Sequence, residues 1–140
     1  MMKKLRNSAL GLGMVLGLLL LPSAQAEAAF EGTDLDGKWE FFALGYYEVF
    51  TTYCFGSLTI EGGEIVAGEG QYHSAPTRFR GSLGLSPGGQ VVGNIAGTYD
   101  GGAYHYEFVS GQMNPRKDTI VGSGRNHSWW MCTFYLVKTN

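Results

Sequence analysis

Residues 77–112 read TRFRGSLGLSPGGQVVGNIAGTYDGGAYHYEFVSGQ, and the spacing of their apolar residues and turns decides the fold. Phe79, Gly81, Leu83 and Leu85 alternate with Arg78, Arg80 and Ser82, a dry face against a wet one at the period of two that an extended strand gives. Ser86-Pro87-Gly88-Gly89 then reverses the chain, a second strand runs over 90–99, and Asp100-Gly101-Gly102 reverses it again. On the third strand Tyr104, Tyr106 and Phe108 oppose His105 and Glu107. Two consecutive hairpins with one apolar face each predict an antiparallel meander.

The pattern extends in both directions. Strands are predicted at 38–44, 51–60, 64–72, 77–85, 90–99, 103–112, 118–125 and 128–138, with Glu61-Gly62-Gly63 and Asn114-Pro115-Arg116-Lys117 as further turns. An internal echo runs through them. Gly56-Ser57-Leu58 precedes Ile65-Val66, Gly81-Ser82-Leu83 precedes Val91-Val92, and Gly111-Gln112-Met113 precedes Ile120-Val121, so three similar hairpins with a glycine on each arm are expected. Glycine inside a strand costs stability and is usual where a sheet bends sharply or a bulky group comes close. Eight short, kinked antiparallel strands predict an all-β fold, an eight-stranded meander β-barrel, because closure also removes exposed strand edges. The last strand is apolar on both sides: Trp130, Cys132, Phe134 and Leu136 on one, Trp129, Met131, Tyr135 and Val137 on the other.

The first residues are of another kind. Lys3, Lys4 and Arg6 precede an uncharged apolar run from Ala9 to Leu21, and Ala24-Gln25-Ala26 follows Pro22. This is the three-part pattern of a secretory signal peptide, its apolar run of 13 residues too short for a membrane-spanning helix of about 20. Cleavage after Ala26 is expected, leaving residues 27–140 as a single domain, periplasmic or secreted, in a bacterial host. The formal net charge of −2 becomes −5 once the three leading cations leave seven basic against twelve acidic residues. A mildly acidic domain without a Lys/Arg cluster predicts no nucleic-acid partner and no attraction of the mature form to an anionic membrane.

Both cysteines lie in the exported part. In an oxidising compartment a bridge is favoured, so a Cys54 to Cys132 disulfide is expected, closing a loop of almost 80 residues. In a meander barrel these two strands flank the first, and a bridge needs Cα atoms within about 7 Å. The bridge is therefore placed at a rim, past the end of the strand at 38–44.

Gly37-Lys38-Trp39, at the start of the first strand, resembles the G-x-W of the calycin barrels, the lipocalins and their relatives, which include the avidins. The resemblance implies a barrel that holds a small apolar ligand, with Trp39 closing the floor and a basic residue near the last strand stacked on it, Lys138 or Arg125. The polar biotin contacts of avidins are not recognisable after Trp39.

The aromatic supply is the main functional signal. Trp39, Phe41, Tyr104, Tyr106, Trp130 and Phe134 are candidates to line a ligand site, and an eight-stranded barrel is at the size where the interior is either filled by side chains or holds one small molecule. The segment Gly45-Tyr46-Tyr47-Glu48-Val49-Phe50 is aromatic where a connection is expected. Tyr46, Tyr47, Phe50, Trp129 and Tyr135 are therefore candidates for a lid or an interaction patch, for a homodimer or another protein. His105 and Glu107 point the same way on one strand and form the one arrangement suited to hydrolase or isomerase chemistry. A charged, solvated strand face explains them more simply, so no catalytic residue is assigned. No spacing suggests a metal, no cofactor is expected, and Asp34-Leu35-Asp36-Gly37 departs from a calcium loop at Lys38 and Trp39 and reads as a turn.

Overall fold

The computed structural model describes residues 29–47, 50–126 and 131–139, with positions 47, 50, 104, 108 and 109 described through their backbone. A one-turn 3₁₀ helix, Gly32–Leu35, leads into β1 (Gly37–Tyr47), β2 (Phe50–Glu61), β3 (Glu64–Tyr72), β4 (Ala75–Leu85), β5 (Gln90–Tyr99), β6 (Gly102–Met113), β7 (Thr119–Asn126) and β8 (Met131–Thr139). Each strand pairs antiparallel with its sequence neighbour and β1 pairs with β8, closing the barrel. The expected all-β meander barrel is the observed fold. Residues 1–26, expected to be a signal sequence, lie outside the described residues.

The hairpins follow from local chemistry. At the β2–β3 reversal Gly62 and Gly63 both take positive φ, 58° and 85°, the pair of conformations a two-residue turn needs to match the twist of its strands. Between β6 and β7 the Asn114 side-chain oxygen accepts from the backbone N–H groups of Asp118 and Thr119, both at 3.1 Å, tying the start of the loop to its end. The internal echo is structural: in all three hairpins the first β-branched residue, Ile65, Val91 or Ile120, is buried, and the second, Val66, Val92 or Val121, is exposed.

Alternation fills the bore. The core is a single cluster that includes Leu35, Trp39, Phe41, Leu58, Ile60, Leu83, Ile95, Tyr106, Met113, Phe134 and Leu136. Glycines make room for its rings: a Cβ on Gly56, Gly68 or Gly70 would come 2.7–2.8 Å from Phe79 atoms, so the ring lies against bare backbone of β2 and β3. The charged residues expected on wet faces, Arg78, Arg80, His105 and Glu107, are exposed.

Two expectations need correction. Cys54 and Cys132 are both buried and are not at disulfide distance. β1 does not finish at residue 44 but runs to Tyr47, so Ala43 stands between Cys54 and Phe134 in the ladder, and Gly45 between Thr52 and Cys132. The cysteines are two strand spacings apart, about 9–10 Å, and two residues out of step, which no bridge spans. The same extension removes the six-residue aromatic loop. Residues 45–47 and 50 are strand, paired up to Tyr47 opposite Phe50, because β-prone aromatics at the ends of two facing strands continue the ladder.

Candidate functional site

The bore has two ends of different construction. At the floor, where β1 begins, the 3₁₀ helix crosses the opening and buries Leu35 beside Trp39, which is fully buried. The Trp39 indole N–H donates to the Leu35 carbonyl at 2.7 Å, and the Lys138 ammonium lies 5.3 Å from the ring centroid while donating to the Asp34 carbonyl at 2.9 Å. Asp34 fixes this plug. Its carboxylate accepts from the Glu31 backbone N–H at 2.8 Å and pairs with Lys117 at 2.7 Å, and these contacts, the backbone bond first, hold its pKa below the ordinary value. Asp36 accepts from the Gly62 N–H at 2.7 Å, so the Asp34-Leu35-Asp36-Gly37 segment is a structural clamp. Of the two candidate bases for stacking on Trp39, Lys138 takes the place. Arg125 instead pairs with Glu107 at 2.8 Å on the outer face.

The waist is packed by rings. Phe41 meets Phe79 edge-on at 5.5 Å and Phe134 in a stacked arrangement at 6.3 Å, and Tyr106 meets Phe134 edge-on at 5.7 Å. Trp39, Phe41, Tyr106 and Phe134, expected to line a ligand site, thus lie in the plug and the waist, filled by their own contacts. Tyr104 stands opposite Gly97 in the ladder, and Trp130 lies outside the described residues.

Above the waist the lining changes. Among the described side chains the inward positions here include Gly45, Thr52, Cys54, Tyr72, Thr77, Tyr99, Gly124 and Cys132, small groups with two half-buried tyrosines. Tyr72 and Tyr99 face one another at 5.2 Å between centroids, tilted by 31°, and burial, followed by the neighbouring Tyr99 and Cys54, raises the Tyr72 pKa. Burial pushes the Cys132 thiol up to about 12, so it is neither a ready nucleophile nor a ready metal ligand. Thr77 donates its hydroxyl to the Ala75 carbonyl at 3.3 Å. The Thr52 hydroxyl is buried with no hydrogen-bond partner among the described residues. No charged side chain lies on this lining among the described residues, and no group of three His, Cys, Asp or Glu there converges for a metal.

Sequence reading missed Thr52, Tyr72 and Tyr99. The signal was present, since counting by two from Leu58 and Cys54 along β2 puts Thr52 inside, and counting from Gly68 and Gly70 along β3 does the same for Tyr72.

The outer wall also separates into two halves. On one, Val121, Tyr135, Phe42 and Phe55 form an apolar row across β7, β8, β1 and β2, each opposite the next in register. Tyr46, Met131 and Tyr53 extend it toward the mouth, and all seven are 39–59% exposed. Of the patch residues expected from sequence, Tyr46 and Tyr135 are part of this surface. Tyr47 and Phe50 are placed as a ladder pair, and Trp129 lies outside the described residues. His105 and Glu107 sit on the other half, exposed, with Glu107 engaged by Arg125.

No family model matches the chain, and no curated protein matches its sequence. A solved structure is similar in fold: a de novo designed fluorescence-activating β-barrel superimposes with a TM-score of 0.56 at 14% identity, covering 79% of this chain and all of the designed one. The likeness is to a closed β-barrel. At that identity it speaks for architecture alone.

Proposed function

We propose that this protein is an exported, non-catalytic barrel that binds a small, largely apolar molecule in the mouth half of its bore, on a lipocalin-like plan. The observation that carries the reading is the difference between the ends. The floor is closed by Trp39, Leu35 and Lys138 and the waist by four rings, whereas the upper lining falls to glycine, threonine and cysteine beneath two facing tyrosines. Small wall residues beside aromatic rings, with few polar groups, are the lining a small-molecule pocket uses. The Trp39–Lys138 stack supports the calycin resemblance of Gly37-Lys38-Trp39. The designed neighbour is described as a fluorescence-activating β-barrel, and this similar fold is compatible with a ligand at one end of the bore.

Native mass spectrometry of the protein purified from its host tests the reading. The expected spectrum shows a chain beginning at Glu27 and carrying one small neutral molecule. A ligand-free protein that also takes up no planar apolar compound in equilibrium dialysis would refute it.

A second reading has its own observation. The seven exposed apolar residues on β7, β8, β1 and β2 present on the order of 600 Å² of surface, the upper end of what a monomer leaves uncovered and close to the roughly 800 Å² each partner contributes to a standard interface. This face suits a homodimer. Sedimentation at micromolar concentration gives a dimer on that reading, lost on Phe42→Ser together with Tyr135→Ser, and a monomer at all concentrations would reject it.

A further inference from the structure

We propose that the hydroxyl of Thr52 is the polar anchor of the mouth site and that the molecule it selects is neutral, flat and mostly apolar, with one hydrogen-bonding oxygen, such as an aryl ketone or a phenol. The inference rests on the ligand-binding reading above and specifies its chemistry. Thr52 is 8% exposed, and its Oγ1 finds no partner among the described residues. Buried hydroxyls are nearly always paired, because one left alone forfeits the hydrogen bonds water gave it. Valine would fill the same volume without that penalty, so the hydroxyl is a cost to the ligand-free fold.

The wall beside it is bare backbone. Gly45 is the ladder partner of Thr52, and a Cβ there would come 2.7 Å from Oγ1, so any larger residue would crowd the hydroxyl. Beyond Gly45 in the same row are Cys132 and Gly124. Two residues along β2, Cys54 stands opposite Tyr72, whose ring faces Tyr99. The Thr52 hydroxyl, able to donate or accept, is thus set in a lining of thiols, glycines and tyrosine rings, while the Thr77 hydroxyl on the same lining is already engaged by the Ala75 carbonyl. The lining has no charged side chain to offset a buried charge among the described residues, and the Cys132 thiol stays protonated, so a charged ligand is disfavoured. A flat body against the tyrosine rings with a single oxygen on Thr52 satisfies every group named.

The test uses two probes of one shape, 2-acetylnaphthalene and 2-isopropenylnaphthalene, which differ by an oxygen against a methylene, measured by equilibrium dialysis on the exported protein. The wild type is expected to bind the ketone about tenfold more tightly than the alkene, the worth of one buried hydrogen bond. Thr52→Val should bring the ketone down to the alkene's affinity without changing the alkene, and should raise the urea midpoint of the ligand-free protein. Thr52→Ser should keep the preference. Equal binding of both probes by the wild type, or a preference that survives Thr52→Val, overturns the anchor while leaving the ligand-binding reading standing. Failure of both probes to bind overturns the two together. A Thr52→Val variant less stable than the wild type would show a protein partner for the hydroxyl and overturn the anchor as well.

Discussion

Replacing Trp39 by alanine removes the largest fully buried side chain of the core from the floor of the barrel, where it packs beneath the 3₁₀ helix. Three losses combine. The indole leaves a void under the helix, the Leu35 carbonyl loses its donor at 2.7 Å, and the Lys138 ammonium loses the ring whose centroid lies 5.3 Å away. Truncation of a buried tryptophan costs about 3–5 kcal/mol, a fifth or more of the roughly 5–15 kcal/mol that holds a domain of this size. At about 4–8 °C per kcal/mol the melting temperature should fall by at least ~12 °C. Trp39→Phe separates the contributions: it keeps most of the ring and orphans only the carbonyl, and should cost about 1–3 kcal/mol. Urea unfolding followed by far-ultraviolet circular dichroism measures both variants. A loss under ~1 kcal/mol for Trp39→Ala would mean that the floor is not sealed by this residue, and the division of the bore into a closed and a receptive end would fall with it.

The remaining predictions concern the thiols and the clamp. Because Cys54 and Cys132 are unbridged, reductant should leave the melting temperature unchanged and thiol titration should count two groups on unfolding, slowly reactive beforehand; a reductant-dependent melting temperature would restore the bridge. Asp34 has a pKa below its ordinary value of 3.8, so its ionised form is favoured by folding, and that contribution is complete above the unfolded pKa and lost as pH falls through the lower folded one. The urea midpoint of the wild type should therefore exceed that of Asp34→Asn above about pH 5, and the gap should close as the pH falls below about 4, the ordinary carboxyl value. A gap independent of pH would remove the carboxylate from the clamp.

The barrel was legible because each strand repeats one rule, and most of its boundaries fall within about two residues of the positions alternation and glycine turns indicate. Trp39 and Lys138 were legible for a different reason: a large aromatic at the start of a first strand and a cation near the end of the last must meet when the barrel closes. The disulfide was misread through one strand end. Ending β1 at residue 44 leaves the cysteines facing across a gap, while the three further residues, Gly45, Tyr46 and Tyr47, fill it. Propensity describes the middle of a strand better than its last turn of pairing. The mouth site proposed above was obscured by weighting ring size over position. Trp39, Phe41, Tyr106 and Phe134 are large enough to satisfy one another, which turns attention to the small residues above them. No composition signal marks Gly45 or Thr52. Only their ladder partnership shows that one makes space for the other's hydroxyl.

The central claim is that this barrel is closed at the Trp39 end and receives a small neutral molecule at the other. Amide chemical-shift mapping with 2-acetylnaphthalene measures that directly. Saturable shifts are expected at Thr52, Cys54, Tyr72, Tyr99 and Cys132, with Leu35, Trp39, Ile60 and Leu136 unmoved. Shifts centred on the floor residues or on the outer row of Phe42, Phe55 and Tyr135, or no saturable shift anywhere, would contradict it.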